Sequence, residues 1–306
     1  MRVSVVLCTY SLDLYDAFRE AAASVLAQTH ADRELIVVVD GTPDVYERVL
    51  EDYGPHEDVR IHLNSENRGL LASRNTGAEL ADGDVVAFID DDAVAEPDWL
   101  EELVAVYDQH DALAAGGTMT ADWVAGKPDF LPAEFYWLVG VTHRGFADAP
   151  GEVRNTFGSN ISFRRDIFSE LEGFDTDIGG RKGDKHLQGG ETELCARLRN
   201  EYGRGVYYTP DACVAHKVFA YRTDPKWLLR RAFWQGYSKR GMEVLVPESS
   251  GEESDFLGRL LTEFAPRRAK RLLFHPSLSG LVQLVMLFVF TGVVGLGYAY
   301  GMTKWR

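Results

Sequence analysis

The first 110 residues alternate short β-branched runs with helical patterns, and nothing else in the chain constrains its fold as strongly. Residues 3–7 form an apolar run broken only by Ser4, and over 14–27 Phe18, Ala22, Val25 and Leu26 recur at helical spacing. Residues 35–39 and 85–89 repeat the apolar run and 59–63, VRIHL, reads as a third strand between them, while 45–53, 71–80 and a segment starting near Pro97 repeat the helical pattern. Strands that are apolar at every position are buried on both faces, and strand–helix–strand order joins them in parallel. The expected architecture is therefore α/β, a parallel-rich sheet with helices on both faces. Ligands of such sheets gather outside the carboxyl ends of the strands, so residues that carry chemistry should follow each strand. Beyond residue 115 the pattern loosens. Residues 116–157, rich in Gly, Pro and aromatics, read as a long loop region, 160–164 as a strand, 190–200 as a helix and 206–208 as a short strand.

The other end of the chain imposes a second constraint. Residues 278–300, LSGLVQLVMLFVFTGVVGLGYAY, carry no charge. At helical rise they span roughly 34 Å, enough to cross a hydrocarbon core of ~30 Å. The segment is apolar on every side, which predicts a transmembrane helix. Arg267, Arg268, Lys270 and Arg271 precede it and only Lys304 and Arg306 follow, so the positive-inside bias predicts a single-pass membrane protein with its body in the cytoplasm. Gly297 and Gly301 form a GxxxG spacing that hints at helix pairing. The expected organisation is a domain over 1–246, divided near residue 115 where the regular alternation stops. A linker and basic juxtamembrane stretch over 247–277 follows, with PESSGEESD (247–255) as its flexible part, and then the span.

Charge is divided along the same line. Residues 1–215 carry 18 basic and 40 acidic side chains, whereas 216–306 carry 14 and 7. An acidic body repels a nucleic-acid backbone, and a basic tail can rest on anionic headgroups, so nucleic acid is excluded as a partner and a membrane favoured. Eight Lys against 24 Arg, with the acidic body, fit a salt-rich cytoplasm, ordinary acidic drift being the plainer reading. Three cysteines without CxxC spacing fit a reduced compartment without structural zinc.

The acidic triplet Asp90, Asp91 and Asp92 ends the fourth expected strand. Three carboxylates in series repel one another unless a cation neutralises them, and Mg²⁺ or Mn²⁺ shared with substrate phosphates suits oxygen ligands. Strand alternation would aim Asp90 and Asp92 in one direction. Thr9 and Tyr10 end the first run and Asp40 the second; a carboxylate there can accept a uracil imide N–H, and Tyr10 offers a stacking face. Arg74, early in the third helical pattern, can reach diphosphate oxygens or a base. Glu191 and Glu193 open the 190–200 helix, where the helix dipole favours them and where one can serve as a general base. His216 is a candidate for metal or phosphate, without ligand-pair spacing to accompany it. Arg230 and Arg231 lie in KWLLRRAFWQGYSKRG (226–241), an aromatic and basic stretch suited to a lipid phosphate at a membrane surface or to a helix packed on the body.

In order along residues 1–215, the segments VSVVLCTY, VVVDGT, NRGLLASRNTG, VAFIDDDA, GFD and GGETELCARL resemble glycosyltransferase family 2. These are GT-A fold enzymes that transfer sugars from nucleotide donors with inversion. The resemblance implies nucleoside contacts at Thr9, Tyr10 and Asp40 with Arg74 beside them, uridine, ribose or phosphate contacts at Asp90 and Asp91, and a divalent metal on Asp92. The family's general base, an Asp in ED-x-[DE]-L, falls on Glu191; Gly190 replaces the acid before it, and Glu193 is the alternative base. The acidic composition and tail anchor are similar to haloarchaeal hexuronic acid transferases of protein N-glycosylation. They imply a UDP-sugar donor and a dolichyl phosphate-linked saccharide acceptor, or another lipid or polysaccharide acceptor. A nucleotidyltransferase is the rival enzyme, but LCTYSLDLYD lacks the Gly-rich, basic phosphate loop expected after its first strand. A membrane scaffold without turnover would have no use for the acidic triplet.

Overall fold

The computed structural model describes residues 1–178, 181–182, 185–246 and 252–305. The chain forms two compact units: Met1–Ala121 with Ala147–Gly180 and Gly190–Lys217, and Asp122–Phe146 with Arg181–Gly189 and Val218–Arg306.

In the first unit the anticipated alternation is present. β1 (Val3–Thr9), α1 (Tyr15–Leu26), β2 (Arg33–Asp40), α2 (Pro43–Tyr53), β3 (Val59–Asn64), α3 (Leu70–Glu79), β4 (Val85–Asp90), β5 (Ala93–Ala95) and α4 (Trp99–His110) follow in turn. β6 (Ala114–Trp123), β7 (Gly151–Val153), β8 (Ile161–Arg164) and α5 (Arg165–Glu170) come next, then, after the two-residue strands β9 (Arg181–Lys182) and β10 (Lys185–His186) that belong to the second unit, α6 (Gly190–Tyr202) and β11 (Val206–Val218). The large sheet runs β3-β2-β1-β4-β8-β6-β11-β5, with β7 on β11. β1 pairs in parallel with β2 and β4, and β2 with β3; β8 then turns antiparallel to β4 and β6. Every residue of β1 is buried because the sheet is covered twice. Phe18, Val45 and Trp99 from α1, α2 and α4 pack one face, and Ala78, Phe168 and Leu194 from α3, α5 and α6 the other.

Three expectations change. Within 116–157, read as loop, β6 supplies a ten-residue strand and β7 a three-residue one. The Ala-Gly-Gly-Thr run of β6 has weak strand propensity, but in the sheet it lies beside β11, where a Cβ on Gly117 would come within 1.8 Å of the Ala212 carbonyl oxygen. The short strand expected at 206–208 continues to Val218, through Pro210, and so carries His216 into the sheet. The fourth helix begins at Trp99, two residues beyond Pro97, because 93–95 forms β5 first.

The second unit contains a 3-10 turn at Ala133–Val139, α7 (Pro225–Leu245), α8 (Glu252–Arg259), a π-helical turn at Leu260–Phe264, α9 (Ala265–Phe274) and α10 (Leu278–Lys304). Residues 247–251 of the expected linker lie outside the described residues, and a helix starts at Glu252. α10 has a mean hydropathy of 2.1 over its most apolar window, of which 17% is buried, and is long enough to cross a membrane. Its cover is one-sided. Leu287, Phe290, Gly297 and Gly301 are buried, while Leu278, Leu281, Val285 and Phe288 are exposed. The GxxxG spacing is used inside the chain: a Cβ on Gly297 would lie 1.8 Å from the Phe233 carbonyl oxygen of α7, and one on Gly301 2.8 Å from Arg240 Cβ.

Candidate active site

The residues singled out along 1–215, together with His216, all belong to the first unit, and the ends of its strands bring most of them together. Arg74 is the centre. It leaves α3 as a nearly fully buried side chain, and its guanidinium lies 5.9 Å from the Phe88 ring centroid and 5.7 Å from that of Phe174. Nη2 donates to Asp90 Oδ1 at 2.6 Å and Nη1 to Glu191 Oε1 at 2.9 Å. Burial works against the charge, but these two carboxylates more than offset it and hold the guanidinium ionised. Asp90 and Glu191 remain 28% and 26% exposed, so each turns an edge to solvent. Asn75, next on α3, clamps the Gly-Phe-Asp turn: its Nδ2 donates to the Phe174 carbonyl at 2.8 Å, and the Phe174 N–H donates to its Oδ1 at 2.9 Å.

The two candidate bases have different surroundings. Glu193 is buried and accepts from Arg197 at 2.6 and 2.7 Å, and Arg197 in turn donates to the carbonyls of Leu171 and Gly173. Glu191 faces Arg74 and solvent. The missing acid at 190 also has a steric reason, since a Cβ there would come within 2.5 Å of Leu71 Cδ1.

The triplet does not act as one block. Asp90 is the last residue of β4, so strand alternation stops there and Asp90 and Asp92 turn to different partners. Asp92 is buried, with His216 Nε2 3.4 Å from its Oδ1. That juxtaposition depends on the unexpected length of β11: the Lys217 N–H donates to the Asp92 carbonyl at 2.8 Å, and His216 pairs with Ala93 across the ladder. Between them, Asp91 Oδ2 and Thr9 Oγ1 are both buried with no hydrogen bond of good geometry. Burial pushes the Asp91 carboxyl up to about 7; the nearby Thr9 hydroxyl opposes the rise, and the charges of Asp92 and Asp90 add to it. Among the described residues no three His, Cys, Asp or Glu side chains converge as a ready-made metal site. The donors present still fit a Mg²⁺- or Mn²⁺-type ion, which takes one or two carboxylates and completes its shell with water and substrate phosphates.

Asp40 holds a turn. Oδ1 accepts from the Arg68 N–H and Asn64 Nδ2, both at 2.9 Å, and Oδ2 from the Gly69 N–H at 2.8 Å. Gly41, with φ +72°, follows it where a Cβ would meet the Asn67 nitrogen at 2.2 Å. Tyr10 is 55% exposed, with its carbonyl accepting from Thr42 Oγ1, so its ring face is open. Arg230 and Arg231 lie on α7 in the second unit, the former exposed and the latter partly buried.

Sequence reasoning missed the 157–160 segment, Phe-Gly-Ser-Asn. The Asp90 N–H donates to Ser159 Oγ at 3.0 Å, and a Cβ on Gly158 would sit 2.0 Å from Glu191 Oε1 and 2.6 Å from Arg74 Nη1. Buried Asn160 fixes the segment by accepting from Trp99 Nε1 and donating to the Ala212 and Thr118 carbonyls. The Gly-Ser-Asn triplet just before a strand was its signal.

Comparison with known proteins bears on the chain's fold and family. The chain is 53% identical over 303 residues to the glucosyl-dolichyl phosphate glucuronosyltransferase of Haloferax volcanii, covering 99% of this chain and 96% of that one. Mannosyltransferase PcManGT from Pyrobaculum calidifontis, solved with GDP-Man and Mn²⁺, superposes with a TM-score of 0.58 at 18% identity over 98% of this chain and 87% of that one. S. aureus TarS 1–349 with UDP-GlcNAc gives 0.56 at 16% identity over 96% and 82%. These two likenesses concern the fold, which is that of the GT-A glycosyltransferases. The model of the glycosyl transferase family 2 matches residues 4–172, the stretch that carries Asp40, Arg74 and the acidic triplet. With a strand-end acid tied through a buried arginine to a helix-start acid and a close relative along nearly its whole length, the chain is a glycosyltransferase and belongs to glycosyl transferase family 2.

Proposed function

We propose that this chain transfers a hexuronic acid from a UDP-sugar to a dolichyl phosphate-linked saccharide, with inversion, in protein N-glycosylation. The observation that carries the reading is Glu191, a carboxylate at the sheet's rim, a quarter exposed and oriented by the Arg74 bridge to Asp90. The near full-length likeness to a glucuronosyltransferase acting on glucosyl-dolichyl phosphate supports the choice of donor and acceptor. Glu191 takes the proton of the acceptor hydroxyl as that oxygen attacks the anomeric carbon from the face opposite the nucleotide. Tyr10 stacks on the base with Thr9 below it, and Asp40 shapes that end of the site through the Arg68–Gly69 turn it holds. Asp90 and Asp91 contact uridine, ribose or phosphate, and Arg74 keeps Asp90 in place for this.

Asp92, with His216 beside it and Asp91 Oδ2 unsatisfied, is where Mg²⁺ or Mn²⁺ would be held. When bound, such an ion offsets the charge that gathers on the departing diphosphate. The Mn²⁺ in the mannosyltransferase complex is consistent with this choice. α10 anchors the chain in the cell membrane with the body on the cytoplasmic side, and Arg230 and Arg231 hold the acceptor's phosphate.

The test is transfer by the purified full chain from UDP-glucuronic acid to glucosyl-dolichyl phosphate, read by mass spectrometry of the lipid product. Glu191→Gln should lower turnover at least about 100-fold with UDP binding retained, and Glu193→Gln should retain turnover in whatever fraction stays folded. Wild-type enzyme that gives no uronic acid product, or Glu191→Gln with normal turnover, would overturn the assignment.

A further inference from the structure

The second unit contains a cavity of about 560 Å³ where α9 gives way to α10, within the size range of small-molecule sites. Its wall is cationic: Lys127, Arg144, Arg267, Arg268 and Arg271 all line it. Two carboxylates partly answer these charges. Buried Glu134 takes Arg268 at 2.5 Å and Arg144 at 3.7 Å, and Glu263 takes Arg267 at 3.1 Å. Among the described residues, five cations of the wall thus meet two carboxylates, one of which, Glu263, is shared with Arg259 at 2.9 Å.

The cavity's shape is held independently of any ligand. Arg268, 11% exposed, is fixed between Glu134 and Gln283 Oε1, and Gln283 Nε2 donates to the Asp129 carbonyl. Arg267 and Arg271 are exposed, and Lys127 leans over the Tyr136 ring at 5.3 Å. The 27-residue α10 starts at the wall. Ser277 Oγ accepts the Gly280 N–H, which leaves the Leu278 and Ser279 N–H groups at the positive end of the helix. A cationic chamber with open helix amides selects an anion whose oxygens accept several hydrogen bonds at once, the chemistry of a phosphate.

The surroundings say what carries that phosphate. Leu273 and Phe274, between the wall residues Leu272 and His275, are 82% and 70% exposed, and Leu278, between Ser277 and Ser279, is 79% exposed. Bare apolar side chains beside a cationic chamber match an amphiphile, with its charged head inside and its chains along the outside. We propose that this cavity binds the phosphate of a membrane lipid beside the start of α10. The proposal rests on the membrane role of α10 given above and is separate from the nucleotide site and from Arg230 and Arg231.

The experiment uses the full chain in neutral phosphatidylcholine nanodiscs, where choline masks the lipid phosphate. Phosphatidylglycerol in one arm and a polyprenyl phosphate in another are titrated in, with inorganic phosphate as competitor. The variants are Arg267→Gln and Arg271→Gln, made singly, with Lys127→Gln as a further single probe, and Lys270→Gln, which removes an equal charge from α9 outside the cavity wall. Saturable binding of either anionic lipid, weakened about tenfold or more by each wall variant and less than about threefold by Lys270→Gln, supports the site. Equal losses in the wall variants and Lys270→Gln would reduce it to diffuse attraction and overturn it. Displacement of the lipid by an equal concentration of inorganic phosphate would overturn the lipid assignment. UDP binding, measured on the same samples, reports on the sheet site. Its loss with lipid binding intact counts against the transferase reading alone.

Discussion

Replacing Arg74 with Met tests the idea that a single buried guanidinium assembles the site. The change keeps most of the apolar stem and removes two charge-assisted hydrogen bonds, at 2.6 Å to Asp90 and 2.9 Å to Glu191. Such bonds contribute about 1.5–3 kcal/mol each. Both acids are roughly a quarter exposed and regain some hydration once released, so the lower end applies, giving a loss of about 3 kcal/mol. At about 2–4 °C per kcal/mol the melting midpoint should fall by roughly 6–12 °C. Arg74→Lys should recover about half, because one ammonium reaches one acid but cannot fork to both. The decisive assay is a double-mutant cycle in denaturant with Arg74→Met, Glu191→Gln and the pair. Coupling of about 1–2 kcal/mol is expected for side chains that touch. Strict additivity, or Arg74→Met within about 0.5 kcal/mol of wild type, would refute the bridge as an organising contact.

Other positions make separable claims. Gly158→Ala places a methyl against Glu191 Oε1 and should lower turnover by at least about tenfold, since a small misplacement of a base is costly; it should cost little stability because the side-chain end can swing away, and a melting shift without a kinetic one would contradict this. His143 is buried, and burial, reinforced by Arg259, depresses its imidazole to about 4. The unfolded chain takes up this proton near pH 6.5 and the folded one only near 4, so the related stability is whole above about 6.5 and falls as pH drops towards 4, by roughly 3 kcal/mol in all. His143→Gln should flatten that part of the pH–stability curve, and an unchanged slope would locate the titration elsewhere. Phe288→Lys puts a charge on the exposed stripe of α10 and should weaken vesicle flotation, whereas a variant that floats as wild type would mean that this stripe does not meet lipid.

The parts legible in the sequence were those written locally. β1, β2 and β4 announce themselves because strands buried on both faces are apolar nearly throughout, with Ser4 and Glu34 paired to each other inside, and the acids that end β2 and β4 stand out against that background. The unread parts depend on partners distant in the chain. Nothing local in AAGGTMTADW marks a strand, since its reason is the close passage of β11, and nothing near His216 points to Asp92 until the ladder through Lys217 brings them together. α10 shows the same limit in another form. A helix covered on one stripe by its own chain and bare on the opposite one has no visible period when both stripes are apolar, so 278–300 reads as uniform although Leu287 and Phe288 have opposite surroundings.

Glu191 and Glu193 show why spacing alone could not choose a base. They are two residues apart in one helical turn, with the same dipole and the same residue type. What separates them is which arginine each meets. Arg197 lies four residues along the same helix and draws Glu193 into a buried clamp on the Leu171 and Gly173 carbonyls. Arg74 comes from α3 and offers Glu191 one nitrogen, keeping its other for Asp90 and leaving the carboxylate's free edge towards solvent. On the proposed reading, a base is held at one oxygen and open at the other, which is what the second arrangement offers. Among the described residues, Arg74 pairs with Asp90 and Glu191 and with neither Asp91 nor Asp92, the latter lying against His216. A nucleotide diphosphate entering there would bring further negative charge, and on that same reading Asp91 and Asp92 are the carboxylates left to share a cation with it.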